Sequence, residues 1–266
     1  MPESDLDLLT KAAMAVGDIA LREKARGLDV EDKPGGAGPV TQADLLVDRT
    51  LREALMSSRP GYGWLSEETE DSPDRLSRRR TFIIDPIDGT RSFAEGSRTW
   101  AHSLAVADQG KVTAAVIYLP MRNLLYAAAA EQGATLNGER IRTTQTNRLH
   151  DAEILAAKPN LKPVHWKHGQ VPDFKRNYRP SLAYRMAAVA QGRFDGMLTL
   201  RPSWEWDIAA GDLIIREAGG ICSNRQGQPL RFNNPQPRLN GVIAAGAETY
   251  RLLCEQLDPD GHGLPV

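Results

Sequence analysis

The sequence predicts a mixed α and β protein: a helix-flanked antiparallel sheet followed by a smaller α/β layer. Three observations predict it. Two amphipathic helical patterns open the chain, and short apolar runs separated by turn residues fill the stretch from Pro60 to about residue 145. After that, strand and helix patterns alternate to the end. The change of pattern divides the chain into subdomains 1–145 and 146–266.

The elements follow in order. Ser4, with Asp7 three residues later, opens the first helix in capping-box fashion, and Leu6, Leu9, Ala13, Val16 and Ala20 fall on one face. Residues 31–39, EDKPGGAGP, carry enough Pro and Gly to be a mobile loop. Thr41 caps a second helix with Asp44 at the third position and Leu46, Val47, Leu51, Ala54 and Leu55 as its buried face. Strand patterns cover 62–66, 81–84, 102–107, 112–118 and 124–129, and Asn137-Gly138 marks a hairpin turn. Strands at 153–158, 194–200 and 241–245 then alternate with helices at 181–191, 208–218 and 247–257, which argues for parallel pairing. Residues 159–180 are polar and Pro-containing, and no element is assigned to them. No repeat or low-complexity tract is present.

Composition excludes several classes of function. The 266 residues suffice for one large domain or two modest ones, with 41% hydrophobic and 25% charged residues. Thirty-three basic against 34 acidic side chains leave a net charge of −1, so there is no electrostatic footprint for a nucleic acid polymer or an acidic membrane. Arg78-Arg79-Arg80 reads as a solvated turn before a strand. Cys222 and Cys254 belong to no Cys/His cluster, which argues against zinc, and nothing requires them to pair. The acidic N-terminus is not a signal peptide, and no apolar run reaches the roughly 18 residues of a membrane span. The expectation is a soluble, cytoplasmic protein.

The informative residues are acids. The apolar run Thr81-Phe82-Ile83-Ile84 feeds into Asp85, the first residue of D-P-I-D-G-T. Pro86 should end the strand ladder, Asp88-Gly89 should turn the chain, and Thr90 can cap a helix. The turn therefore aims two carboxylates and a helix N-terminus at one point. Carboxylates suit Mg²⁺ and free N–H groups suit phosphate. Taken alone, the same stretch is also simply a good turn sequence. Glu67 and Glu68 end the preceding strand pattern, where solvated loop acids are common. Asp207 falls in the first turn of a helix, where an acid favours the helix dipole.

In this order, the E-E pair, D-P-I-D-G-T and W-D-I-A-A-G-D followed by E-A-G-G resemble the inositol monophosphatase family of Mg²⁺-dependent, lithium-sensitive phosphatases. The resemblance runs from Thr41 to Gly219-Gly220. It implies a five-layer αβαβα sandwich and two or three Mg²⁺ ions. It also implies Glu67, Asp85, Asp88, Asp207 and the Ile87 carbonyl as metal ligands. One metal would activate a water, and another would stabilise the leaving alkoxide. The catalytic set implied is Glu67, Thr90 and Asp44, with Thr90 and Asp44 orienting the water. The phosphate would rest on the N–H groups of Gly89 and Thr90, beside Asp88 and Asp207. Ser66 stands where many members have Gly. Members are often dimers, although the sequence shows no exposed apolar stripe to serve as an interface.

The metal site does not name the substrate, a small-molecule phosphate ester. Inositol-specific members tend to carry Glu seven residues before the W-D aspartate, and that position is Leu200. R-P-S-W-E-W-D, residues 201–207, instead resembles the 3′(2′),5′-bisphosphate nucleotidase branch. Arg185 lies where that branch often has Lys and could pair with a second phosphate, while Trp204 could stack on a base. The alternatives for these two are a surface arginine and a packing tryptophan. The leading expectation is 3′-phosphoadenosine 5′-phosphate, followed by inositol 1-phosphate and then sugar or histidinol phosphates. A protein-interaction module is the reading from a different class.

Overall fold

In the computed structural model, which describes residues 3–33 and 38–258, α1 (Asp5–Arg26) starts at Ser4, whose hydroxyl accepts the Asp7 N–H at 3.1 Å. It buries Leu9, Ala13, Val16 and Ala20 as the spacing predicts, with Leu6 half-buried. The segment expected to be a loop instead begins and ends in paired backbone: β1 (Val30–Asp32) runs antiparallel to β2 (Pro39–Thr41), and residues 34–37 lie outside the described residues. Thr41 closes a capping box with Asp44 at the start of α2 (Gln42–Ser58). Val47, Leu51 and Leu55 are buried there, but Ala54 is exposed and Leu46 half-buried. Two acids, Asp44 and Asp48, take buried positions on the same helix.

The next strands form one seven-stranded sheet in chain order. They are β3 (Gly63–Ser66), β4 (Arg80–Asp88), β5 (Ala101–Asp108), β6 (Lys111–Leu119), β7 (Leu124–Ala129), β8 (Ala134–Leu136) and β9 (Glu139–Arg140), with α3 (Thr90–Ala94) after β4. Asn137 and Gly138 turn the β8–β9 hairpin with φ of 50° and 87°. Two expectations fail at the edge that matters. First, β3 pairs with β4 in parallel, because the 3₁₀ turn Pro73–Ser77 lies in a long return rather than a tight hairpin. Second, Pro86 does not end the ladder. The ladder shifts register between Asp85 and Asp88, and Asp88 pairs again with Ala101.

Side chains alternate through the centre of this sheet. Phe82, Ile84, Leu104, Val106 and Val116 pack toward α1 and α2. Leu65, Ile83, Ala105, Ala115 and Ile117 pack toward the middle of the molecule. Both faces are covered, which explains the continuous apolar run Phe82-Ile83-Ile84.

The second half supplies β10 (Glu153–Ala156), β11 (Lys175–Asn177), α4 (Leu182–Ala190), β12 (Gly196–Thr199), β13 (Ser203–Trp204), α5 (Glu205–Glu217), β14 (Gly220–Ser223), β15 (Arg238–Leu239), β16 (Val242–Gly246) and α6 (Ala247–Gln256). Five of these strands form a second sheet in the order β11-β10-β12-β16-β14, while β13 and β15 make a small ribbon. The parallel expectation holds for β11-β10-β12. It fails at β16, which lies antiparallel to both neighbours because the chain returns from the β15 ribbon to enter from the opposite end. The unassigned stretch becomes short 3₁₀ turns and the edge strand β11, anchored by Trp166, whose buried indole N–H donates to the Asn160 carbonyl at 3.0 Å.

Five layers result: α1 and α2, the large sheet, α4 and α5, the small sheet, and α6. Every residue of α4 is buried, which fits a sequence, LAYRMAAVA, that is apolar almost all round. The strands of the large sheet all precede residue 141 and those of the small sheet all follow residue 152. Alpha4 and α5 pack on both sheets, so one apolar cluster joins the halves. Both cysteines are free. Among the described residues no helix is long and apolar enough to cross a membrane.

Candidate metal centre

Strand parity and register assemble the acids. Ile83 faces the middle layer, so Asp85, two residues on, faces it too. Parallel pairing sets Leu65 beside Ile83 and Ser66 beside Ile84, and the Glu67 N–H donates to the Ile84 carbonyl at 3.2 Å. Glu67 therefore continues the register beside Asp85. Asp207 comes from the opposite side, in the first turn of α5. That turn is tied to β5 by the Ser103 hydroxyl, which donates to the Trp206 carbonyl at 2.9 Å. It is tied to the 233–234 loop by Glu205, whose carboxylate accepts from the Asn233 and Asn234 N–H groups at 2.6 and 2.9 Å.

One carboxylate oxygen each from Glu67, Asp85 and Asp207 lies within 4.8 Å of the others. Among the described residues this is the one such grouping of potential metal ligands. Burial, and then the neighbouring acids Glu67, Asp88 and Asp207, push Asp85 well above the usual carboxylate range. Asp207 is raised in the same direction by burial and by Asp88 and Glu67. Asp85 Oδ1 is buried with no hydrogen-bond partner. Clustered carboxylates out of water with an unfilled acceptor are costly unless a cation compensates them. The all-oxygen donor set suits a hard divalent cation such as Mg²⁺.

Asp88 lines the same pocket of about 250 Å³, but its role is shared. One of its oxygens accepts from the Ser181 hydroxyl and the Ala183 N–H, both at 2.6 Å, which fixes the start of α4. Burial pushes Asp88 up to about 6 against those hydrogen bonds. Gly89, at φ 95°, is the N-cap of α3, so Thr90 is its first helical residue rather than its cap. The freed Thr90 hydroxyl reaches Asp44 Oδ1 at 3.0 Å and the Ile87 carbonyl at 3.1 Å. The other Asp44 oxygen accepts from the Thr41 N–H at 2.9 Å and from the Thr41 hydroxyl. The capping box thus holds the carboxylate that holds Thr90, and burial raises Asp44.

Sequence reasoning missed three residues here. Asp48, one turn after Asp44 and 6% exposed, accepts from the Ser66 hydroxyl at 2.5 Å and the Thr69 hydroxyl at 2.6 Å. It therefore grips the Glu67-Glu68 turn from both sides, and the departure to Ser66 supplies one of the two links. Lys33 lies between Glu67 and Glu68 at 2.8 and 2.7 Å. Glu68 is nevertheless pushed up to about 7 by burial. Buried His102 supports the bulge by contacting the Pro86 carbonyl through Nδ1, and burial holds it neutral, down to about 4. The i,i+4 spacing of Asp44 and Asp48 on a buried helical face is the signal that was available for Asp48.

Of the two expected substrate contacts, Trp204 lines the acid pocket and Arg185 lines a neighbouring cavity. Trp204 stacks on Trp206 at 4.7 Å and 10°, and the Arg238 guanidinium sits 4.7 Å over its ring. Trp204 nevertheless remains 39% exposed. Arg185 is buried, with Nε donating to the Arg179 carbonyl and Nη2 to that of Pro180 at 3.4 Å. Larger depressions of about 660 and 680 Å³ lie elsewhere and contain no cluster of metal-ligating side chains among the described residues.

Known proteins resemble this chain in sequence and fold. Residues 1–259 match the model of the inositol monophosphatase family. An inositol-1-monophosphatase of Rhizobium meliloti is 37% identical over 259 residues, covering 91% of each chain. The Nus factor SuhB of Escherichia coli is 34% identical over 235 residues, covering 84% of this chain and 85% of its own. A solved Thermotoga maritima IMPase superposes with a TM-score of 0.80 at 28% identity, covering 94% of this chain and 95% of its own.

Proposed function

The chain belongs to the inositol monophosphatase family and is a phosphatase, and from that premise we propose that it hydrolyses inositol 1-phosphate with Mg²⁺ held by Glu67, Asp85, Asp88, Asp207 and the Ile87 carbonyl. The observation that carries the proposal is the convergence of Glu67, Asp85 and Asp207 from three separate elements around the unpartnered Asp85 Oδ1. Two or three ions are expected. Bound there, Mg²⁺ would supply Lewis acidity that lowers the pKa of water and offsets charge on the phosphate.

The chain's own groups do the rest. The Thr90 hydroxyl, held by Asp44, orients a water toward phosphorus, and Asp44 takes up the proton. The N–H groups of Gly89 and Thr90 hold the phosphate oxygens. Glu67 completes the catalytic set through its place beside Asp85. Residues 1–145 supply most metal ligands, and 146–266 supply Asp207 and the contacts that select the alcohol. Lithium is expected to inhibit.

The inositol ester stands ahead of the bisphosphate nucleotide because the relatives compared are inositol-1-monophosphatases and SuhB proteins. This reverses the order expected from the sequence. A second reading, a protein-interaction role, is favoured by the likeness to a Nus factor. Phosphate release from inositol 1-phosphate and 3′-phosphoadenosine 5′-phosphate, with and without Mg²⁺, tests the proposal. Mg²⁺-dependent release from the inositol ester supports it. No release from either ester with any divalent cation would move the interaction role to the front.

A further inference from the structure

The acids of the metal centre come from both halves of the chain, and one polar linkage joins the two halves beside them. Arg75, in the 3₁₀ turn Pro73–Ser77, is 2% exposed. Its Nη1 donates to the Asn233 side-chain oxygen at 2.7 Å, and its Nη2 donates to the Asn234 carbonyl at 2.9 Å. Asn233 Nδ2 returns a bond to the Arg75 carbonyl at 3.4 Å. We propose that Arg75 is a positioning residue for the metal centre: through Asn233 and Asn234 it fixes Asp207 relative to Glu67, a role that rests on the metal assignment proposed above.

Each end of the linkage reaches an element that carries an acid. At one end, Arg75 lies against β3, the strand that leads to Glu67. A Cβ placed on Gly63, at the start of β3, would come 3.0 Å from Arg75 Cα and 2.9 Å from its Cβ, so the approach needs glycine. At the other end, Glu205 opens α5, and Asp207 follows two residues later. The buried Glu205 carboxylate takes three bonds from the same loop, the two N–H groups described above and Asn234 Nδ2 at 2.6 Å. Between the two ends, Asn233 is held at φ 61°. A left-handed backbone of this kind persists where its surroundings over-determine it, and here Arg75 and Glu205 grip it from opposite sides.

The linkage exceeds what charge balance asks of Arg75. Its counter-ion is Asp71, four residues earlier, which accepts from Nε and Nη2 at 2.6 and 2.8 Å. The guanidinium is therefore neutralised within its own segment, and its remaining donors cross to the second half. A rigid planar fork can hold two partners in a fixed relation, which a single ammonium cannot do. The Arg75 charge also counters the burial that raises Glu205, so the cation favours the form of Glu205 that accepts all three bonds.

Calorimetric titration of Mg²⁺ into the metal-free full chain tests the role, in the wild type, Arg75→Gln and Asn233→Gly, each below its own melting temperature. Asn233→Gly keeps the left-handed backbone and the N–H bond to Glu205 and deletes the side chain that meets Arg75. Mg²⁺ affinity is expected to fall about 10-fold in both variants, the low end of what groups behind metal ligands contribute. The direction in Arg75→Gln is the diagnostic readout. Loss of a cation near the acids would by itself tighten Mg²⁺ binding, so weaker binding reports displaced ligands. Wild-type affinity in Asn233→Gly, or tighter binding in Arg75→Gln, overturns the positioning role and leaves the metal assignment standing. If Arg75→Gln does not fold, Asn233→Gly decides alone. Absence of Mg²⁺ binding to the wild type removes the metal assignment and this role together.

Discussion

Two hollows that share the Arg201 side chain differ in the charge of their walls. In one, Glu67, Asp85, Asp88 and Asp207 crowd together with only the neighbouring Arg201 and Arg91 on its wall. In the other, Arg185 and Arg201 stand on a wall without Asp or Glu, with Asp88 acting on Arg185 and Asp207 on Arg201 from the neighbouring pocket. The crowded acids are not stable on their own terms, since like charges out of water repel and lose hydration. A divalent cation is the partner that would complete them.

Breaking the acidic side should have the largest effect. Asp88→Asn is expected to lower phosphate release by about a thousand-fold or more while the protein stays folded, because it removes a charge from the centre that stabilises the reaction. Wild-type turnover by that variant would remove Asp88 from the metal assignment. Thr90→Ala should cost roughly a hundred-fold or more in kcat, as loss of a positioned acid–base partner does, with Mg²⁺ affinity unchanged. If affinity falls in step with kcat, Thr90 supports the metal rather than the water. Asp48→Asn should weaken Mg²⁺ binding by about 10- to 100-fold through the loosened Glu67-Glu68 turn. Equal affinity, by calorimetry, would reduce Asp48 to a packing acid.

The smallest effect concerns pH. Burial raises Asp88 to about 6 and Glu68 to about 7, and Asp85 and Asp207 also lie well above the usual range. A raised carboxyl holds its proton in the folded state where the unfolded state has lost it. Stability is therefore greatest at low pH and is lost as pH rises through the folded values. Buried His102, lowered to about 4, works in the opposite direction, but only below its unfolded value near 6.5. The metal-free melting temperature should thus fall between about pH 6.5 and about pH 8.5, and added Mg²⁺ should restore more at the higher value. A metal-free melting temperature that rises over that interval would contradict the acidic half of the comparison.

What the sequence made legible follows from which contacts are local. The Thr41–Asp44 capping box spans three residues and could be read directly. The apolar run into Asp85 placed that acid at a strand end, and the strand and helix patterns located most elements of the sandwich. The parallel pairing of β3 with β4 could not be read, because the intervening return gives no pairing signal, yet that register is what brings Glu67 to Asp85. Local pattern alone made Thr90 a helix cap, whereas its link to Asp44, 46 residues earlier in the chain, came only from the family resemblance and is present in the fold. The spacing of Asp48 from Asp44 marked it as a buried acid, but its partners Ser66 and Thr69 lie on another element and could not be read. Trp204 could be read either as a base-stacking or as a packing residue, and only the fold shows it against Trp206 and Arg238 at the wall of the acid pocket.

The most direct test of the central claim is calorimetric titration of the metal-free protein with Mg²⁺, alongside Asp85→Asn and Asp207→Asn. The acid cluster predicts saturable binding to the wild type, and loss of most of that binding in both variants while their metal-free melting temperatures hold or rise. Wild-type affinity in both variants, or no binding to the wild type, would contradict the assignment of this cluster as the metal centre.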